Sequence, residues 1–126
     1  MSHRSRLAGF IIDCQTDDLD AASRFWSRAL GLPIGELSPE ESATYAKLEN
    51  APGALHVEVQ AVTHPSRVHL DIESDDVQAE VARLEALGAK RIAEVHTWVV
   101  MEAPTGQRFC VVRMHHPERG DPPNQW

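Results

Sequence analysis

The chain is short of positive charge. Lysine and arginine number 12 against 19 aspartates and glutamates, a formal net charge of −7. Nucleic-acid binding draws on a concentrated basic surface. Arg4, Arg6, Arg24 and Arg28 form no run, so no nucleic-acid partner is expected. The acidic excess reads as a solvated surface that aids solubility. Cysteine is scarce too: Cys14 and Cys110 stand far apart, each in an apolar stretch, with no CxxC spacing. Both are expected to be buried, reduced thiols of a cytoplasmic protein. No apolar run approaches the ~18 residues that span a bilayer. The opening MSHRSRLAGFIIDCQTDD turns acidic before a signal-peptide core can develop, so neither secretion nor a membrane is expected. GxSxG, HExxH and phosphate-binding glycine loops are all missing.

What is present is ordinary for a globular domain: 126 residues, 42% apolar and 25% charged. That length buries a core without staples. The chain also repeats itself. GFIIDCQTDDLDAASRFWSRALG aligns with RVHLDIESDDVQAEVARLEALGA, so that Asp13 falls on Asp71. The same shift puts Asp17 and Asp18 on Asp75 and Asp76. Further on, LENAPGALHVEVQ resembles MEAPTGQRFCVVR, which places Glu58 on Cys110.

Each half predicts the same elements. Residues 8–14 are rich in β-formers and read as a strand. Asp17 is expected to cap a helix on which Leu19, Ala22, Phe25, Trp26, Ala29 and Leu30 make one apolar face, and Gly31 stops it. In the second half Val68 to Ile72 is the strand. Asp75 with Gln78 imitates a capping box, Val77, Val81, Leu84 and Leu87 form the stripe, and Gly88 ends it. Three short strands follow each helix, about 33–37, 43–49 and 54–60, then 91–95, 97–102 and 108–114. The linker, about 61–67, is too short to separate independent domains, so the halves are expected to share a core. The tail from 115 to 126, rich in proline, glycine and polar residues, is expected to be irregular.

At this point the residues carry a resemblance. A strand running into DDLDAASRFWSRALGL, and VHLDIESDDVQAEVARLEALGA followed by APTGQRFCVV, resemble the opening and closing halves of glyoxalase-like (vicinal oxygen chelate) domains. The likeness covers about residues 7–114, in modules of about 7–60 and 67–114. It implies an α+β fold of two βαβββ modules, a cup-shaped mixed sheet with one helix per module outside, and a small-molecule site in the cup. The superfamily includes lyases, isomerases, ring-cleaving dioxygenases and drug-binding proteins of the bleomycin-resistance type. It also implies homodimers, some made by exchanging halves. Its metal enzymes carry ligands on the first and last strand of each half, which fall here on Ile11, Glu58, His69 and Cys110. Glu58 and His69 suit a metal. Ile11 has no donor atom, and Cys110 can bind zinc as a thiolate where a carboxylate is usual. The implied metal, zinc, iron or manganese, is thus absent or held by a degenerate site.

Alternation along strands puts His69, Asp71 and Glu73 on one face, with Asp13 and Gln15 matching them by the repeat. His56, Glu58 and Gln60 share a face, as do Arg108, Cys110 and Val112. Polar groups recurring on one face point to a cleft that holds a ligand, against structural hydrogen bonds as the bland account. His69, mid-strand between Val68 and Leu70, is the foremost candidate as general acid or base, with Asp71 and Asp13 assisting. His56, Gln60, Trp98 and Cys110 are candidate substrate contacts; Trp98 can equally pack beneath a helix. Phe25, Trp26, Phe109 and Met101 are expected in the core, and His115 and His116 on the surface. Three functions follow: a protein that binds or transforms a small organic molecule without a standard metal; a metal-dependent lyase, isomerase or dioxygenase using His69 and Glu58; or a protein that only sequesters a drug or metabolite. Metal content separates the second from the others.

Overall fold

A computed structural model describes residues 2–36 and 44–126. Among the described residues are two α-helices and eight strands in mixed parallel and antiparallel pairing, the α+β arrangement expected. The chain divides into two compact units, Gly9–Val68 and Met1–Ala8 with His69–Trp126. The first strand, β1 (Arg4–Gln15), contributes to both.

In the unit Gly9–Val68 the strand order is β2 (Tyr45–Leu48), β3 (His56–Val62), β1. β3 runs parallel to β1 and antiparallel to β2. Ile12, Leu48, Val57 and Val59 are buried, and Leu19, Ala22 and Trp26 of α1 (Leu19–Leu30) close over them. The predicted apolar face is only partly seated. Phe25 is 61% exposed, its ring set edge-on to Trp26 at 5.0 Å, because α1 docks through Leu19, Ala22 and Trp26 and carries Phe25 off that line. The N-cap is Asp18, not Asp17: its carboxylate accepts from the Ala21 N–H at 3.0 Å, and its own N–H donates to Thr16 Oγ1. Gly31, at φ 70°, ends the helix as expected. No strand forms at 33–36. A single bridge joins Ile34 to Leu48, since Pro33 has no N–H to donate to a ladder. Residue 37 and the start of the strand expected at 43–49 lie outside the described residues.

In the other unit the order is β1, β4 (Arg67–Ser74), β7 (Arg108–Arg113), β6 (Trp98–Glu102), β5 (Lys90–Val95). β4 and β7 are parallel, while β6 is antiparallel to β7 and to β5. Val81 and Leu84 of α2 (Val77–Ala86) pack with Val99, Met101, Phe109 and Val111, so Phe109 and Met101 are core residues as expected. Leu87 is not: it is the helix C-cap and is exposed. Asp76 is the N-cap, accepting from Ala79 N–H at 3.0 Å. Asp75 is engaged elsewhere, accepting from the Arg4 N–H at 2.8 Å and Nε at 2.9 Å, which draws its carboxyl below the usual range. The tail is irregular only up to Pro123; Asn124–Gln125 form β8, antiparallel to β1 at Ser5 and Arg4. Among the described residues no helix is long and apolar enough to cross a membrane.

Candidate functional site

A sheet residue either faces the helix or turns away from it, and registered pairs share a side. In the unit that holds β4, Ile72 and Val111 face α2. Asp71 and its partner Cys110 therefore face away, as does Val100, the partner of Cys110 on β6. His69 and Glu73, two residues either side of Asp71, lie on this helix-free face, and so does Trp98. The alternation read from the sequence thus holds here.

His69 Nε2 lies 3.7 Å from Asp71 Oδ1, with side chains 14% and 10% exposed. One atom each of the His69 imidazole, the Asp71 carboxylate and the Cys110 thiol lie within 4.8 Å of one another. Asp71 and Cys110 are partners in the parallel pair β4–β7, whose ladder fixes their spacing, and His69 precedes that ladder by one residue. Along the same face Arg108 Nε meets Glu102 Oε2 at 3.3 Å, and Arg6 Nε meets Glu73 Oε1 at 2.7 Å. Trp98 is half-buried, its ring tilted against His96 at 5.6 Å.

The unit Gly9–Val68 has its own helix-free face. It carries Ile11 opposite Glu58, Asp13 opposite Gln60, and Gly9 opposite His56. Tyr45 and Lys47 of β2 extend the rows through Gln60 and Glu58. Asp13 is 2% exposed, and Arg67 Nε approaches its Oδ2 at 3.6 Å. His56, Glu58 and Gln60 are half-buried. Within the unit that holds β4, Asp71 and Cys110 are the donors gathered with His69; Glu58 stands opposite Ile11 in the unit Gly9–Val68. The thiols are both free and half-buried, where full burial was expected. Cys14 points to the helix side, and burial pushes its thiol up.

Three residues of these faces escaped the sequence reading. Gly9 admits His56: a side chain at Gly9 would collide with the His56 carbonyl and ring. A glycine inside a β-rich run is a signal of close backbone approach. Glu73 was placed on the face but given no role, and Arg6 was taken as a scattered surface charge. Nothing local announces their pairing, since β1 and β4 are distant in sequence. His115 and His116 are exposed, as expected.

Residues 9–112 match the model of the glyoxalase-like domain family. No curated protein matches the chain. Among solved structures, a hypothetical protein from Bacillus halodurans C-125 superposes with TM-score 0.66 at 11% identity, covering 93% of this chain and 98% of that one. Methylmalonyl-CoA epimerase from Mycobacterium tuberculosis gives 0.61 at 15% identity, covering 86% and 89%. The Mn(II)-bound glyoxalase from Novosphingobium aromaticivorans gives 0.59 at 22%, covering 90% of this chain and 40% of that longer one. Identities this low speak for the fold alone. The family match spans most of the sequence, and on it the chain belongs to the glyoxalase-like domain family.

Proposed function

We propose that this protein binds a small organic molecule on the helix-free face around His69 and moves a proton on it. The observation that carries the reading is the approach of His69 Nε2 to Asp71 Oδ1 at 3.7 Å, both mid-strand and largely shielded from water. An imidazole exchanges protons near neutral pH, and a carboxylate beside it holds the ring and lies against the charge that proton uptake creates. The substrate class this chemistry suits is a small carbonyl compound with an exchangeable proton on the adjacent carbon. An epimerase and a glyoxalase among the similar folds accord with that class.

The test is a thermal-shift screen of small oxo-acids and aldehydes, followed by NMR of deuterium uptake from D2O into any stabilising compound. His69→Ala is expected to slow uptake by about 10²-fold or more. Uptake unchanged in that variant would sink the reading.

A second reading has its own observation: the imidazole, carboxylate and thiolate donors of His69, Asp71 and Cys110 lie within 4.8 Å of one another. That donor set suits zinc. It differs from the resemblance-derived pair of His69 and Glu58 by taking Asp71. A metal held there would supply Lewis-acid polarisation of a substrate oxygen. Protein purified from zinc-supplemented medium should then carry about one equivalent, and His69→Ala and Cys110→Ala should each lose it. Metal-free protein from that medium removes this reading and leaves the first intact.

A further inference from the structure

We propose that the segment from His115 to Trp126 is a strap that bounds the ligand-holding face, with Arg6 as its latch and positioning residue. This rests on the reading that the face around His69, Asp71 and Cys110 takes the ligand.

The strap is held at two points on opposite sides of the strands. On the helix-free side the Arg6 guanidinium donates to the carbonyls of His116 at 2.9 Å, Asp121 at 2.6 Å and Pro117 at 3.3 Å. Its Nε meets Glu73 at 2.7 Å. The loop thus folds around a single side chain, and the planar fork of a guanidinium serves four acceptors that an ammonium cannot match. At the far end β8 pairs with Arg4 and Ser5, and the Trp126 N–H donates to the His3 carbonyl at 2.8 Å. Trp126 Nε1 donates to Ser5 Oγ at 2.7 Å, and the Arg83 guanidinium lies 3.8 Å above the indole ring. Pro122 and Pro123 form a stiff spacer between the anchors.

The position of the latch gives it a consequence for the site. Glu73 is two residues from Asp71 on the same face of β4, about 7 Å along the strand. A loop gathered on the Arg6–Glu73 pair therefore stands two residues along β4 beyond the His69, Asp71 and Cys110 group and limits how far a bound molecule extends in that direction. Opening the latch lengthens the face and leaves the far anchor in place.

The test uses the whole chain. In Arg6→Gln, trypsin should cut the Arg119–Gly120 bond about tenfold faster than in wild type, because cleavage follows the population of the opened segment. Labelling of Cys110 by a fluorescein-bearing maleimide, located by peptide mass spectrometry, should also quicken several-fold, while iodoacetamide, a small probe, labels it at an unchanged rate. Arg6→Lys gives the same readouts should the glutamine variant melt below the assay temperature. Unchanged cleavage at Arg119 shows there is no latch. Faster cleavage with unchanged maleimide labelling shows a loose strap that does not bound the face; the proposal falls and the proposed function stands. A Cys110 that resists iodoacetamide in every variant closes the face to small molecules and takes the proposed function with it.

Discussion

Single residues carry some of the sharpest dependences. Glu80 is fully buried yet charged. Burial pushes its carboxyl up, but hydrogen bonds from Arg83 at 2.8 Å, His3 at 2.7 Å and Ser5 outweigh this, and its pKa falls below the usual glutamate value. A carboxyl more acidic in the folded than in the unfolded chain contributes stability above its unfolded pKa, near 4.3, and that contribution fades as pH drops through the folded value. Urea midpoints measured from pH 6 down to pH 2.5 should therefore fall, and Glu80→Gln should flatten the curve and cost about 2–3 kcal/mol at pH 7 by stranding the Arg83 guanidinium. Gly9 is a second case. Gly9→Ala forces a methyl toward the His56 carbonyl, so we expect a loss of about 1–3 kcal/mol by urea denaturation. The His56 ring resonances should move by NMR in the same variant. Strand alternation from Glu58 marked His56 as a face residue, but the need for glycine opposite it came from the strand pairing.

At the scale of elements, helices were more legible than their ends. Both were placed by apolar spacing and by an Asp pair, yet each cap is the second Asp of its pair. The pattern DD does not say which carboxylate meets the N–H three residues on; Thr16 in one case and Arg4 in the other decide it. Asp18→Ala and Asp76→Ala should each cost about 1 kcal/mol by thermal or urea melts, and Asp17→Ala much less. Strand faces were read correctly because a period of two allows no intermediate choice once one face is buried. The strand expected near Pro33 was read from composition, and the missing N–H reduces it to one bridge. Met101, fully buried under α2 between paired strands, should cost about 2–5 kcal/mol when cut to alanine, measured by urea denaturation.

For the molecule as a whole, a ligand that binds only the folded chain raises its stability with concentration. If the donor set around His69 holds zinc, free zinc at 100 times its dissociation constant adds about 2.7 kcal/mol, read as a rise in melting temperature that Cys110→Ala abolishes. An acidic chain still binds zinc at its surface, so the variant decides. By itself the sequence determined the repeat, the α+β class, the family and the side of the strand on which His69 and Asp71 stand. All of these depend on patterns a few residues long, or on the comparison of two such patterns. Tertiary structure alone decided that Cys110 stands beside His69 and Asp71, that Arg6 pairs with Glu73, and that the tail ends on Ser5 and Arg83. Those contacts join residues distant along the chain, and no local period encodes a distance that only strand pairing and packing create.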